Sequence, residues 1–200
     1  VMERVDETKR SLPSDVAFTV VFNQATDIQE SISGLQREAG LGAFFAVVVI
    51  FVFLLSIRPT FVTSVSIPVS ILAGLIIMFW QGMSLNLMTL GGLAIAVGRV
   101  VDDSIVVMEN IFRHIQMGEE RRRAAFVATK EVAGAIATST FTTIAVFAPL
   151  AFLQGIIGAF FTPFALTVTF ALLASFVVAL TIVPALASLL LRPSETGNEE

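Results

Sequence analysis

The chain has 200 residues, 56% of them hydrophobic and only 14% charged, with a mean hydropathy of +0.88. Soluble domains carry about 25% charged residues, so an ordinary soluble domain is excluded and a membrane protein is indicated. The net charge of −4 names no partner, because the charges are segregated along the chain, and the absence of cysteine excludes disulfides and thiolate metal sites; no nucleic acid, cofactor or metal is expected.

In chain order, residues 1–35 read as the end of an extracytoplasmic segment. Glu3 to Leu12 fits a short helix, Pro13-Ser14-Asp15 a turn and Val16 to Phe22 a strand, a succession common in α/β domains. Thr26 with Gln29 fits a capping box, and Ile28, Ile32 and Leu35 recur at helical spacing. The first span is therefore expected to begin outside the bilayer near Thr26.

No charged residue occurs from Pro59 to Gly98 or from Val132 to Leu191. Each stretch is about twice the ~20 residues of one crossing, so each must fold back once. The breaks fall at Gln81 to Asn86 and at Gln154 to Gly158, where polar and turn-forming residues gather. The expected fold is an all-α membrane bundle over residues 36–192, with spans at about 36–57, 61–80, 87–111, 132–153 and 161–190, and a cytoplasmic tail at 193–200. Arg58, Arg192 and the loop from Phe112 to Glu131, with Arg113, Arg121, Arg122, Arg123 and Lys130, fall on one side. The positive-inside rule makes that side cytoplasmic and the N-terminus external. An external N-terminus with no preceding helix implies a fragment lacking at least one upstream span.

Asp102 and Asp103 lie inside the third span. An ionisable side chain there costs about 2.5–3.5 kcal/mol on insertion scales and by default marks a functional path. Arg99, Asp102 and Asp103 are spaced i, i+3, i+4, which predicts a guanidinium within reach of both carboxylates on one helical face. One Arg cannot cancel two ionised Asp. Either one Asp is protonated or a second cation comes from elsewhere, so the pair is expected to act as a proton relay with Arg99 as charge partner. An internally neutralised structural cluster is the alternative. Gly91, Gly92, Ala94, Ala96 and Gly98 offer a close-packing face, with the step Ala94 to Gly98 at small-xxx-small spacing. On the fourth span Thr138, Ser139, Thr140, Thr142 and Thr143 form a polar stripe; Thr138 and Thr142 are candidates for a water path, against hydroxyls bonded to their own helix. His114, without clustered ligands, reads as a solvated interfacial residue rather than a metal ligand. An intramembrane aspartyl protease is disfavoured, because neighbours on one helix point about 100° apart and cannot form its dyad.

The run Gly92 to Ile111 (GLAIAVGRVVDDSIVVMENI) closely resembles the fourth transmembrane helix of resistance-nodulation-division (RND) transporters, in particular the hydrophobe/amphiphile efflux branch. Ser66 to Ser70, Leu85 to Leu90 and Val183 to Leu186 resemble the flanking elements of the same family, so the chain is similar to the end of a porter segment followed by transmembrane helices two to six of the first half. The resemblance implies a multi-pass protein of the bacterial plasma (inner) membrane and no enzymatic activity. It further implies proton-driven efflux of hydrophobic or amphiphilic compounds, a homotrimer when complete, a second half that supplies a lysine, and a periplasmic adaptor. Asp102 and Asp103 match the family's proton-relay aspartates. Arg99 departs from the Gram-negative multidrug pumps, which are apolar there, and resembles a variant found in Gram-positive RND proteins. The Asp pair disfavours heavy-metal and protein-translocation members. Lipid or lipopeptide export and a non-transporting structural half-transporter remain the alternatives.

Overall fold

A computed structural model describes residues 24–54 and 56–191. The helix, turn and strand expected within residues 1–23 and the tail 193–200 lie outside the described residues. Among the described residues five α-helices follow one another: α1 Gln24–Leu54, α2 Ile57–Trp80, α3 Leu87–Gln116, α4 Arg121–Phe147 and α5 Gly155–Leu190, with a 3-10 turn at Ala148–Phe152 between the last two. No strand occurs among the described residues, and the architecture is an all-α membrane bundle. Helix α1 already runs at Gln24, so Thr26 sits in its first turn and not at the expected cap.

The helix ends follow from local chemistry. Asn86 accepts from the Met88 and Thr89 amides at 2.9 and 3.0 Å, while its own amide donates to the Thr89 hydroxyl at 2.8 Å, a reciprocal capping box that starts α3. Helices α2 and α3 both end on a glycine with positive φ, Gly82 at 67° and Gly118 at 90°. Beyond them the Met83 amide donates to the Met78 carbonyl and the Glu119 amide to the His114 carbonyl. These are Schellman closures, which need the left-handed conformation that glycine adopts without a Cβ clash. The second expected break is used one residue in: α5 begins at Gly155 itself, at φ 71°, rather than near residue 161.

Helix α5 is the packing centre, touching α2, α3 and α4, and α3 makes the broadest contact with it. Two glycines permit the approach. A Cβ on Gly74 of α2 would lie 3.2 Å from the Ala171 Cα, and one on Gly92 of α3 would lie 2.9 Å from the Phe164 carbonyl oxygen. The core gathers Val62, Val107, Met108, Ile111, Val183 and their neighbours. Outside, Phe61, Phe79, Trp80, Phe126, Phe152 and Ile156 are more than half exposed, an apolar surface suited to lipid and not to water. Among the described residues, Ile57–Trp80, Arg121–Phe152 and Gly155–Leu190 are long and apolar enough to cross a membrane. Helix α3 cannot meet such a measure of charge, since every 18-residue window in it includes Arg99, Asp102 and Asp103.

Candidate functional site

The two aspartates part company on α3. Asp103 is only 4% exposed and faces the bundle, and its Oδ2 is buried with no hydrogen-bond partner among the described residues. Around it stand the Arg99 guanidinium, the Asp102 carboxylate one residue away, and the hydroxyls of Ser175 on α5 and Thr140 on α4. The Ser175 hydroxyl donates to the Val100 carbonyl at 3.4 Å, which fixes α5 against the turn preceding the aspartates. Asp102 points outward, its side chain 61% exposed, and Arg99 Nη1 lies 4.0 Å from its Oδ2. The expectation that Arg99 would serve both carboxylates on one face is thus corrected. Successive residues turn by about 100°, so the guanidinium reaches Asp102 and forms no ion pair with Asp103 within 4.0 Å. Its Nη2 donates instead to the Ser139 hydroxyl of α4.

The small residues divide along the same line. Gly92 and Ala96, one helical step apart, face α5, whereas a Cβ on Gly91 or Gly98 would meet nothing within 4 Å. Among the described residues the Ala94 to Gly98 step is therefore not a helix contact. Gly98, Asp102, Val106 and Glu109 share instead an exposed stripe with Ile95, and Gly91 lies half-buried at its end.

Thr138 and Thr142 are exposed, and their hydroxyls donate to the Gly134 and Thr138 carbonyls at 2.9 and 2.6 Å. The structure does not bring them to the aspartates. Back-bonding to the helix, the alternative reading, describes them, and the same stripe presents Ser139 and Thr140 to the site. Helical spacing could have separated the two sets, because 138 and 142 lie on one face and 139 and 140 on the other.

His114 is also corrected. It is 7% exposed rather than solvated, with Nε2 3.0 Å from Glu131 Oε2 and Nδ1 3.3 Å from Glu119 Oε1. Asn110 joins this cluster, donating to the Ala128 carbonyl at 2.9 Å and to Glu131 at 3.1 Å, and accepting from Arg113 at 2.7 Å. Sequence reading missed it because Glu131 approaches His114 only once α3 and α4 form a hairpin. Among the described residues no group of three or more His, Cys, Asp or Glu side chains is placed to hold a metal ion.

A buried carboxyl group with one oxygen unpartnered, beside an ion pair and on a helix inside an apolar bundle, is an arrangement for holding and releasing charge. The family model described as the AcrB/AcrD/AcrF family matches residues 1–200. The chain belongs to this family of RND transporters. It is 45% identical over 183 residues to the swarming motility protein SwrC of Bacillus subtilis (strain 168), covering 90% of this chain and 17% of that protein. It is 38% identical over 187 residues to an uncharacterized transporter of Haemophilus influenzae, covering 94% of this chain and 18% of that one. The chain thus spans less than a fifth of the length of these curated relatives. The resemblance read from Gly92 to Ile111 and the family match agree, and the family is one of transporters.

Proposed function

We propose that this chain is the relay-bearing part of a proton-driven exporter of hydrophobic or amphiphilic compounds. It would be a multi-pass protein of the bacterial plasma membrane. The observation that carries the reading is the buried Asp103 carboxylate with its free Oδ2, set against the outward Asp102–Arg99 pair on α3. A carboxylate so placed is costly unless its charge is used. Uptake of a proton at the Asp102/Asp103 pair removes negative charge from α3, changes its attraction to cations facing it, and lets the helix shift against its neighbours. That shift would reach the extracytoplasmic porter segment through α1.

The exposed stripe through Gly98, Asp102 and Glu109 is the face on which a second half of the transporter would dock, small residues allowing close approach. That half would bring the further cation the pair calls for. A homotrimeric assembly and a periplasmic adaptor accompany this reading, which the family membership supports. Lipids and lipopeptides fall within the same amphiphilic cargo class.

The experiment is transport of a fluorescent amphiphile and of a fluorescent lipopeptide by the full-length protein in liposomes, with and without an imposed pH gradient. Acceleration by the gradient, abolished by a protonophore, is expected. Transport that ignores the gradient would sink the reading.

A further inference from the structure

Arg99 is doubly engaged. Nη1 faces the Asp102 carboxylate at 4.0 Å, and Nη2 donates to the Ser139 hydroxyl one helix away. A long side chain on a half-exposed helix face would ordinarily sample many rotamers, and an exposed ion pair alone would hold it weakly. A second anchor on α4 converts it into a fixed charge. Because Ser139 is the residue next to Thr140, the anchor sits in the same turn that presents the Thr140 hydroxyl to Asp103.

Among the described residues, the groups that act on Asp103 are Arg99 and Asp102 on α3, the Thr140 hydroxyl on α4 and the Ser175 hydroxyl on α5; none comes from α1 or from α2, whose sole charge is Arg58 at its start. Asp102 therefore pairs with the guanidinium, whereas Asp103 has that guanidinium only at longer range, two neutral hydroxyls, and a buried oxygen with no hydrogen-bond partner among the described residues.

From this geometry we propose that Ser139 is a positioning residue of the relay: it holds Arg99 on Asp102, so that these two charges offset each other and the exchanged proton resides on Asp103, at the free Oδ2. The two aspartates then have unequal duties. Asp102 anchors the guanidinium, and Asp103 binds and releases the proton. The step is a simple protonation: a proton from water adds to the Asp103 carboxylate, and the same O–H bond breaks on release. The inference deepens the proposed function and rests on it for its biological meaning, but its test does not need transport.

The test is infrared difference spectroscopy of the purified full-length protein, following the protonated-carboxyl C=O band as pH is varied. Five proteins are compared: wild type, Asp102→Asn, Asp103→Asn, Ser139→Ala and Ser139→Thr. The band is expected to vanish in Asp103→Asn and to persist in Asp102→Asn. Its midpoint should move by about one pH unit in Ser139→Ala, since a charge within about 4–6 Å changes a carboxyl by 1–3 units and the guanidinium is no longer held in place. Ser139→Thr keeps the hydroxyl and should titrate like wild type. Loss of the band in Asp102→Asn with retention in Asp103→Asn would overturn the division of labour, and an unmoved midpoint in Ser139→Ala would overturn the positioning role. A Ser139→Thr variant that shifts as Ser139→Ala does would overturn it too, because bulk rather than the hydroxyl would then matter. If the band behaves as expected in a protein whose transport ignores a pH gradient, it is the exporter reading that fails.

Discussion

At Gly92 the room for a side chain is already taken, by the Phe164 carbonyl oxygen at 2.9 Å and the Thr167 Cβ at 3.2 Å from where a Cβ would sit. Backbone does not yield as a flexible side-chain tip does, so Gly92→Val is expected to cost about 1–3 kcal/mol. Gly91→Ala, which meets nothing within 4 Å, leaves the contacts of this bundle unchanged. Thermal unfolding of the two detergent-solubilised full-length variants checks the contrast, and equal loss would show that α3 does not pack on α5 through Gly92. At the other end of the α3–α4 hairpin, Glu131 lies just ahead of the uncharged stretch. Hydrogen bonds from Asn110 and then from His114 hold its carboxyl below its ordinary value of 4.5. A folded value below the unfolded one means that the stabilisation is present above the ordinary carboxylate range and is lost as pH falls through the folded value. Glu131→Gln should therefore unfold at lower temperature than wild type near about pH 7, with the gap closing near about pH 3. A gap that stays constant with pH would show that the carboxylate is not the stabilising group. The sequence made the aspartates conspicuous, and the 100° turn that excludes a protease dyad already separates Asp102 from Asp103. Which of them is buried depends on where α4 and α5 pass, and no local pattern encodes that.

At the scale of elements, the charge-free stretches and the glycine- and asparagine-bearing breaks were legible because their causes are local. Asn86 can cap only the helix that follows it, and Gly82 and Gly118 can close only the helices before them. Asn86→Ala is expected to cost about 1 kcal/mol, with Asn86→Asp retaining most of the cap; chemical or thermal unfolding of the full protein measures both, and a neutral Asn86→Ala would remove the capping box as the reason α3 begins at Leu87. What local pattern could not supply is the pairing of faces. Gly91, Gly92 and Gly98 look alike in sequence, yet one meets α5 and two meet open space. His114 reads as surface because its carboxylate partners lie 5 and 17 residues away, one in the loop and one on α4. The expected capping box at Thr26 failed for a related reason: α1 already runs at Gln24, upstream of it.

Taken as a whole, the described residues form an apolar bundle with a charged seam along α3. That seam, through Ile95, Gly98, Asp102, Val106 and Glu109, stays exposed while the opposite face of α3 is buried, which is the physical ground for placing the second half of the transporter there. Gly98→Leu should fill that seam without a clash inside this bundle, since a Cβ there meets nothing within 4 Å among the described residues. In the complete protein it is expected to reduce transport by about tenfold or more at unchanged membrane abundance, the equivalent of about 1.4 kcal/mol; wild-type transport by this variant would show that the seam is not a docking face. The central claim is that the buried carboxylate couples proton movement to export. The most direct measurement is substrate-dependent proton flux in liposomes containing the full-length transporter, wild type against Asp103→Asn, at matched protein content. Flux in the wild type and none in the variant is the predicted result. Equal flux in both would contradict the account and leave Asp103 as a structural residue.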